Sequence, residues 1–115
     1  MLRRHPNARS ALPRVTSLIA LLLALSATAA TASEALLSRG GCIGCHRIGE
    51  NLMGPPLREV AARYRNDPDA ATILFDKVRE GGEGAWGDIP MPPKSPEQFS
   101  DEDLHAVIQW ILQLQ

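Results

Sequence analysis

Apolar residues recur at helical spacing in several stretches of this chain, and nowhere do they alternate with polar ones as a strand requires. The clearest stretch is the last, where Leu104, Val107, Ile108, Ile111 and Leu112 share one face. Ser100 precedes them as an N-cap with Asp103 three positions on, a pairing that satisfies free N–H groups at a helix start. Leu57, Val60, Ala61 and Tyr64 predict a shorter helix. Asp67-Pro68 reads as an N-cap followed by proline at the first helical position, and Ala70, Ile73, Leu74 and Val78 carry that helix to a stop at Gly81-Gly82. Ser33 caps a fourth, brief helix through Glu34, Ala35, Leu36 and Leu37 that Gly40-Gly41 ends. Residues 81–96 are too rich in glycine and proline for regular helix and predict a long ordered loop, a feature that in small domains usually serves function. The pattern predicts one all-α domain without internal repeats.

The first third of the chain follows another pattern. Arg3, Arg4, Arg9 and Arg14 precede an apolar run from Val15 to Leu25, and small residues follow through Ala32. That order predicts a secretory signal peptide over residues 1–32, cleaved after Ala30-Thr31-Ala32. The competing reading is a retained membrane anchor, since residues 15–32 carry no charge. With the leader removed, 83 of the 115 residues remain as residues 33–115. Four of the twelve Lys and Arg leave with the leader while all thirteen Asp and Glu stay, so the domain carries a net charge of about −5. An acidic domain without a basic stripe or interleaved aromatics is a poor nucleic-acid binder. A domain of this size sits near the limit of what a hydrophobic core alone can hold, and such chains commonly add a disulfide, a metal or a cofactor.

The only two cysteines lie in Cys42-Ile43-Gly44-Cys45-His46, the pattern C-x-x-C-H. Each thiol can add to one vinyl group of a haem. Two intervening residues on one helical turn bring both sulfurs to one porphyrin edge, and His46 then falls beneath the iron as its proximal ligand. One motif means one covalently attached haem c. A thioredoxin-like pair would need an α/β pattern and no histidine, and a structural zinc site needs four ligands. A disulfide across so short a loop would stabilise little. For the sixth iron ligand the candidates are Met53, Met91 and His105. Met91 stands in Ile89-Pro90-Met91-Pro92-Pro93, where three prolines stiffen the backbone and leave one flexible thioether, so it is the favoured distal ligand. Met53 follows His46 too closely, and His105 lies with Glu102, Gln109 and Gln113 on a polar helix face. His/Met ligation keeps the iron six-coordinate and raises its reduction potential.

These residues resemble the bacterial class I c-type cytochromes, and among them the short cytochrome c-551 type. The resemblance covers residues 33–115 and rests on C-x-x-C-H, Gly54-Pro55, the stretch from Gly84 through Trp86-Gly87-Asp88-Ile89-Pro90-Met91 to Pro93, and Trp110. It implies the class I cytochrome c fold, with first and last helices crossing beside the haem. It further implies that the Pro55 carbonyl accepts a hydrogen bond from His46, that Trp86 donates to a haem propionate, and that His46 and Met91 ligate the iron. Two departures stand out. Lys77 occupies a position where related sequences often carry an arginine that pairs with a propionate, and Lys94 replaces an asparagine that often supports the methionine sulfur.

The function expected from this is single-electron transfer in the periplasm by a monomer without enzymatic activity or, once the leader is cleaved, a membrane span. The family suggests a quinol:cytochrome c reductase as donor and a terminal oxidase or nitrite reductase as acceptor, met in transient encounters. The alternatives are a gas-binding or peroxidatic haem protein with a labile or absent Met91 bond, and a haem subunit held in a larger oxidoreductase.

Overall fold

A computed structural model describes residues 33–115, and the leader expected over residues 1–32 lies outside the described residues. Helix α1 covers residues 33–39. It ends at Gly40, whose N–H donates to Leu36 O at 2.9 Å, and at Gly41, whose φ of 70° is the left-handed conformation that glycine adopts without strain. The chain then makes a single 3-10 turn, Cys42–Gly44, and runs through an irregular segment to α2, Leu57–Tyr64. Helix α3 follows over Ala70–Glu80, and α4 over Asp101–Ile111. Between the last two lies the long Gly- and Pro-rich loop, which carries an isolated antiparallel bridge between Gly82 and Met91.

The start of α3 differs from the sequence expectation. Asp67 does not cap the helix; its side chain accepts from Asp69 N–H at 2.9 Å, and its carbonyl accepts from Ala70 N–H at 3.2 Å. Asp67 to Ala70 is therefore a turn closed by a short polar side chain, and the helix proper begins after it, with Asp69 at the N-cap position. The start of α4 follows the pattern: Ser100 Oγ accepts from Asp103 N–H at 3.2 Å.

Helix α4 is the spine of the domain. Its Leu104, Val107, Ile108 and Ile111 are all buried, and they pack with Leu37 of α1, Leu57 and Val60 of α2, and Phe99 in one core cluster. Each such side chain contributes about 1.5–3 kcal/mol on burial. Helices α1 and α4 are further tied by an ion pair, Arg39 to Asp103 at 2.9 Å.

A second tie is more buried. The Arg79 guanidinium, at the end of α3, donates to the carbonyls of Lys94 and Phe99 at 2.9 Å each and to the Asp101 carboxylate at 2.6 Å, and it lies over the Phe75 ring. One planar cation thus fastens the end of the long loop and the first turn of α4 to α3. His105 of α4 completes this seam by stacking on Phe75, with ring centroids 4.4 Å apart. Residues 33–115 form one compact unit, and no helix among the described residues is long and apolar enough to cross a membrane.

Candidate functional site

The turn after α1 sets the two cysteines and the histidine. The Cys42 carbonyl accepts from Cys45 N–H at 3.1 Å and from His46 N–H at 2.9 Å, so the segment winds tightly enough to bring both thiols to one side. Both cysteines are free and partly buried. Burial pushes the Cys42 thiol above its ordinary range, and the Lys94 ammonium partly offsets that shift. The segment packs closely on α1, since a Cβ on Gly40 would lie 3.1 Å from Cys42 Sγ.

His46 is held from two sides. Its Nδ1 lies 2.8 Å from the Pro55 carbonyl. A carbonyl can only accept, so Nδ1 carries the proton and Nε2 is left with a free lone pair. Gly54 lies flat against the ring: a Cβ there would come within 2.6 Å of Cε1 and 2.8 Å of Nδ1. The loop that carries Gly54 and Pro55 is itself clasped, with Gly54 N–H on Cys45 O at 2.8 Å, Leu57 N–H on Arg47 O at 2.9 Å and Arg58 N–H on Ile48 O at 3.0 Å. Arg47 folds back to donate to the carbonyls of Ile43 and His46.

Met91 is fixed by backbone. It exchanges hydrogen bonds with Gly82, Met91 N–H to Gly82 O at 2.8 Å and Gly82 N–H to Met91 O at 3.0 Å. Next to them Gly81 adopts φ 70°, and a Cβ there would meet Met91 O at 2.5 Å and Pro93 N at 2.8 Å. Only glycine allows the proline-rich segment to lie this close to the end of α3.

Trp86 sits in the same loop, 40 % exposed. Arg63 of α2 holds this part of the loop, donating to Ala85 O at 2.7 Å and stacking its guanidinium 4.5 Å from the indole centroid. The sequence reading did not single out Arg63; its partners lie 22 and 23 positions away, beyond any local pattern. Lys77 approaches the loop as well, with Nζ 3.4 Å from the place a Gly82 Cβ would take.

These parts line a single apolar cleft. Cys42, Cys45, His46, Pro55, Lys77, Trp86 and Met91 all contribute to its walls, with Leu57, Val60, Leu104 and Ile108 of the core behind them. The cleft has a cavity volume of about 200 Å³. Met53 lies at its rim, 54 % exposed, whereas His105 does not reach it and stacks on Phe75 instead. Among the described residues no three His, Cys, Asp or Glu side chains gather to hold a metal ion, so the zinc reading lacks its ligand set. Two free thiols, an imidazole with a lone pair to give and a thioether around one apolar cleft are a donor set that fits a covalently bound haem.

Comparison with known proteins points the same way. The family model for cytochrome c matches residues 30–115. Cytochrome c-552 of Nitrosomonas europaea is 42% identical over 85 residues, covering 74% of this chain and 81% of that protein. Cytochrome c-551 of Allochromatium vinosum is 40% identical over 88 residues, 76% of this chain and 92% of that protein. The crystal structure of wild-type Nitrosomonas europaea cytochrome c552 superposes with a TM-score of 0.66 at 41% identity, covering 71% of this chain and 99% of that one. With a helical fold, a C-x-x-C-H segment at the cleft and relatives of this kind, the chain belongs to the cytochrome c family, as a bacterial class I c-type cytochrome of the c-551 type, an electron-transfer protein whose family carries covalently bound haem c.

Proposed function

We propose that the protein is a periplasmic single-electron carrier whose one haem c is linked through Cys42 and Cys45 and ligated by His46 and Met91. The observation that carries this reading is the convergence of those four side chains on one apolar cleft from two separately fastened walls. When bound, the haem supplies a reversible one-electron couple at its iron. The protein's own residues do the rest. Nδ1–H of His46 is engaged by Pro55 O, which fixes the tautomer and leaves Nε2 as donor. The Gly82 bridge holds Met91 at the cleft through its backbone, without help from its side chain. Trp86, backed by Arg63, and Lys77 offer an indole N–H and an ammonium to the propionates.

The leader over residues 1–32 directs export and is cleaved before Ser33, leaving residues 33–115 as the monohaem domain. Ile43, Leu52, Met53 and Ile89 are exposed apolar side chains in the segments that border the cleft. They support brief, small-area docking of the monomer with redox partners. By resemblance these are a quinol:cytochrome c reductase as donor and a terminal oxidase or nitrite reductase as acceptor. The test is intact-mass analysis of the protein recovered from the periplasm of a host able to assemble c-type cytochromes. A mass equal to residues 33–115 plus one haem, lost in Cys42→Ala/Cys45→Ala, supports the assignment. A mass that retains the leader refutes the cleavage, and one without haem refutes the attachment.

A further inference from the structure

The segment that presents Met91 continues through Pro92 and Pro93 to Lys94, whose main chain is held on both sides. Lys94 N–H donates to Val78 O at 3.0 Å, and its carbonyl accepts from Arg79 Nη1 at 2.9 Å. With the backbone anchored on α3, the side chain reaches from the Met91 segment to the attachment segment. Its Nζ stands 3.6 Å from the position a Cβ would take on Gly41, the residue immediately before Cys42. Gly41 carries no side chain and has φ 70°, so nothing of its own screens the ammonium from the attachment segment. Lys94 is partly buried, and a charge in that setting acts through a lower effective dielectric than a fully solvated one.

We propose that Lys94 is a potential-setting residue: it places a fixed positive charge beside the Cys42 edge of the haem and favours the ferrous over the ferric state. This rests on the haem c reading above. The step is simple to balance. One electron from a redox partner reduces ferric to ferrous iron, no bond forms or breaks and no proton moves, so the site loses one unit of positive charge. A neighbouring cation repels the oxidised site more strongly than the reduced one, and the equilibrium shifts toward reduction. Proximity of the same ammonium to Cys42 is also what counters the effect of burial on that thiol. An uncharged residue at this position would supply none of this field.

The experiment compares holoproteins of the wild type, Lys94→Arg, Lys94→Gln and Lys94→Met, each equilibrated with redox mediators at one fixed ambient potential. The ferrous-to-ferric ratio is read by absorbance. Both neutral variants are expected to lower that ratio about threefold or more, while Lys94→Arg stays near the wild type. Two neutral variants of different shape separate lost charge from lost packing. Ratios in both neutral variants equal to the wild type would overturn the proposal, and so would a fall in Lys94→Arg as large as theirs. Wild-type protein that lacks covalent haem by mass would refute the attachment reading instead, which keeps the two failures apart.

Discussion

Gly54→Ala tests whether the His46 ring is set by packing. An ideal Cβ on residue 54 would stand 2.6 Å from Cε1, 2.8 Å from Nδ1 and 3.1 Å from Nε2 of His46. Ordinary contact begins near 3.4 Å, so the ring must retreat by about 0.8 Å. Overpacking of this kind costs about 1–3 kcal/mol. That corresponds to a melting temperature lowered by roughly 4 °C or more in a domain of this size. The assay is urea unfolding of the holoprotein followed by far-UV circular dichroism, with Gly44→Ala as control. A Cβ on Gly44 meets nothing within 4 Å, so the control should stay within about 0.5 kcal/mol of the wild type. If Gly54→Ala unfolds at the wild-type urea concentration, the ring is not held by this contact and the reasoning fails.

Three other substitutions probe the remaining fastenings. Gly81→Ala brings a Cβ within 2.5 Å of Met91 O at a residue with φ 70°, and because the obstacle is backbone it should destabilise the holoprotein by about 3 kcal/mol or more in the same urea assay. Arg79→Met removes hydrogen bonds to Lys94 O, Phe99 O and Asp101 and should cost about 2–4 kcal/mol, whereas Asp101→Asn, on a carboxylate 61% exposed, should cost under about 1 kcal/mol. Equal losses in the two would show that the ion pair, not the pair of part-buried carbonyl bonds, is what matters. Arg63→Gln gives up the bond to Ala85 O and the stacking on Trp86; amide exchange at Gly84, which closes on Gly87 O at 2.8 Å, should accelerate severalfold, and unchanged protection there would refute a role for Arg63 in holding the loop.

Helix α4 could be read residue by residue, because one apolar face and a Ser100 cap are local signals that the core then uses unchanged. The same is true of α2, whose Leu57, Val60 and Ala61 are the buried positions. The start of α3 was misread for a physical reason. Asp followed by proline suits both a helix cap and a turn, and only the hydrogen bond from Asp69 N–H to the Asp67 side chain distinguishes them. At the site, the chemistry-bearing types Cys42, Cys45, His46 and Met91 announce themselves in the sequence, but what fixes them does not. Gly54 is visible as a letter beside Pro55, while its purpose, a flat approach to an imidazole eight positions earlier, exists only in three dimensions. The Gly82–Met91 bridge, the Arg63 clamp on Trp86 and the reach of Lys94 to Gly41 all join distant residues through contacts that no periodicity encodes.

The central claim, an iron held between His46 and Met91, is met most directly by absorption spectra of the mature holoprotein in both redox states beside Met91→Ala. The expected result is a weak long-wavelength band of ferric iron bonded to methionine sulfur and no carbon monoxide binding by the reduced wild type, with both properties lost in the variant. A wild type that is already high-spin, or that binds carbon monoxide readily when reduced, would contradict it and return Met91 to a packing role in a ligand-binding haem protein.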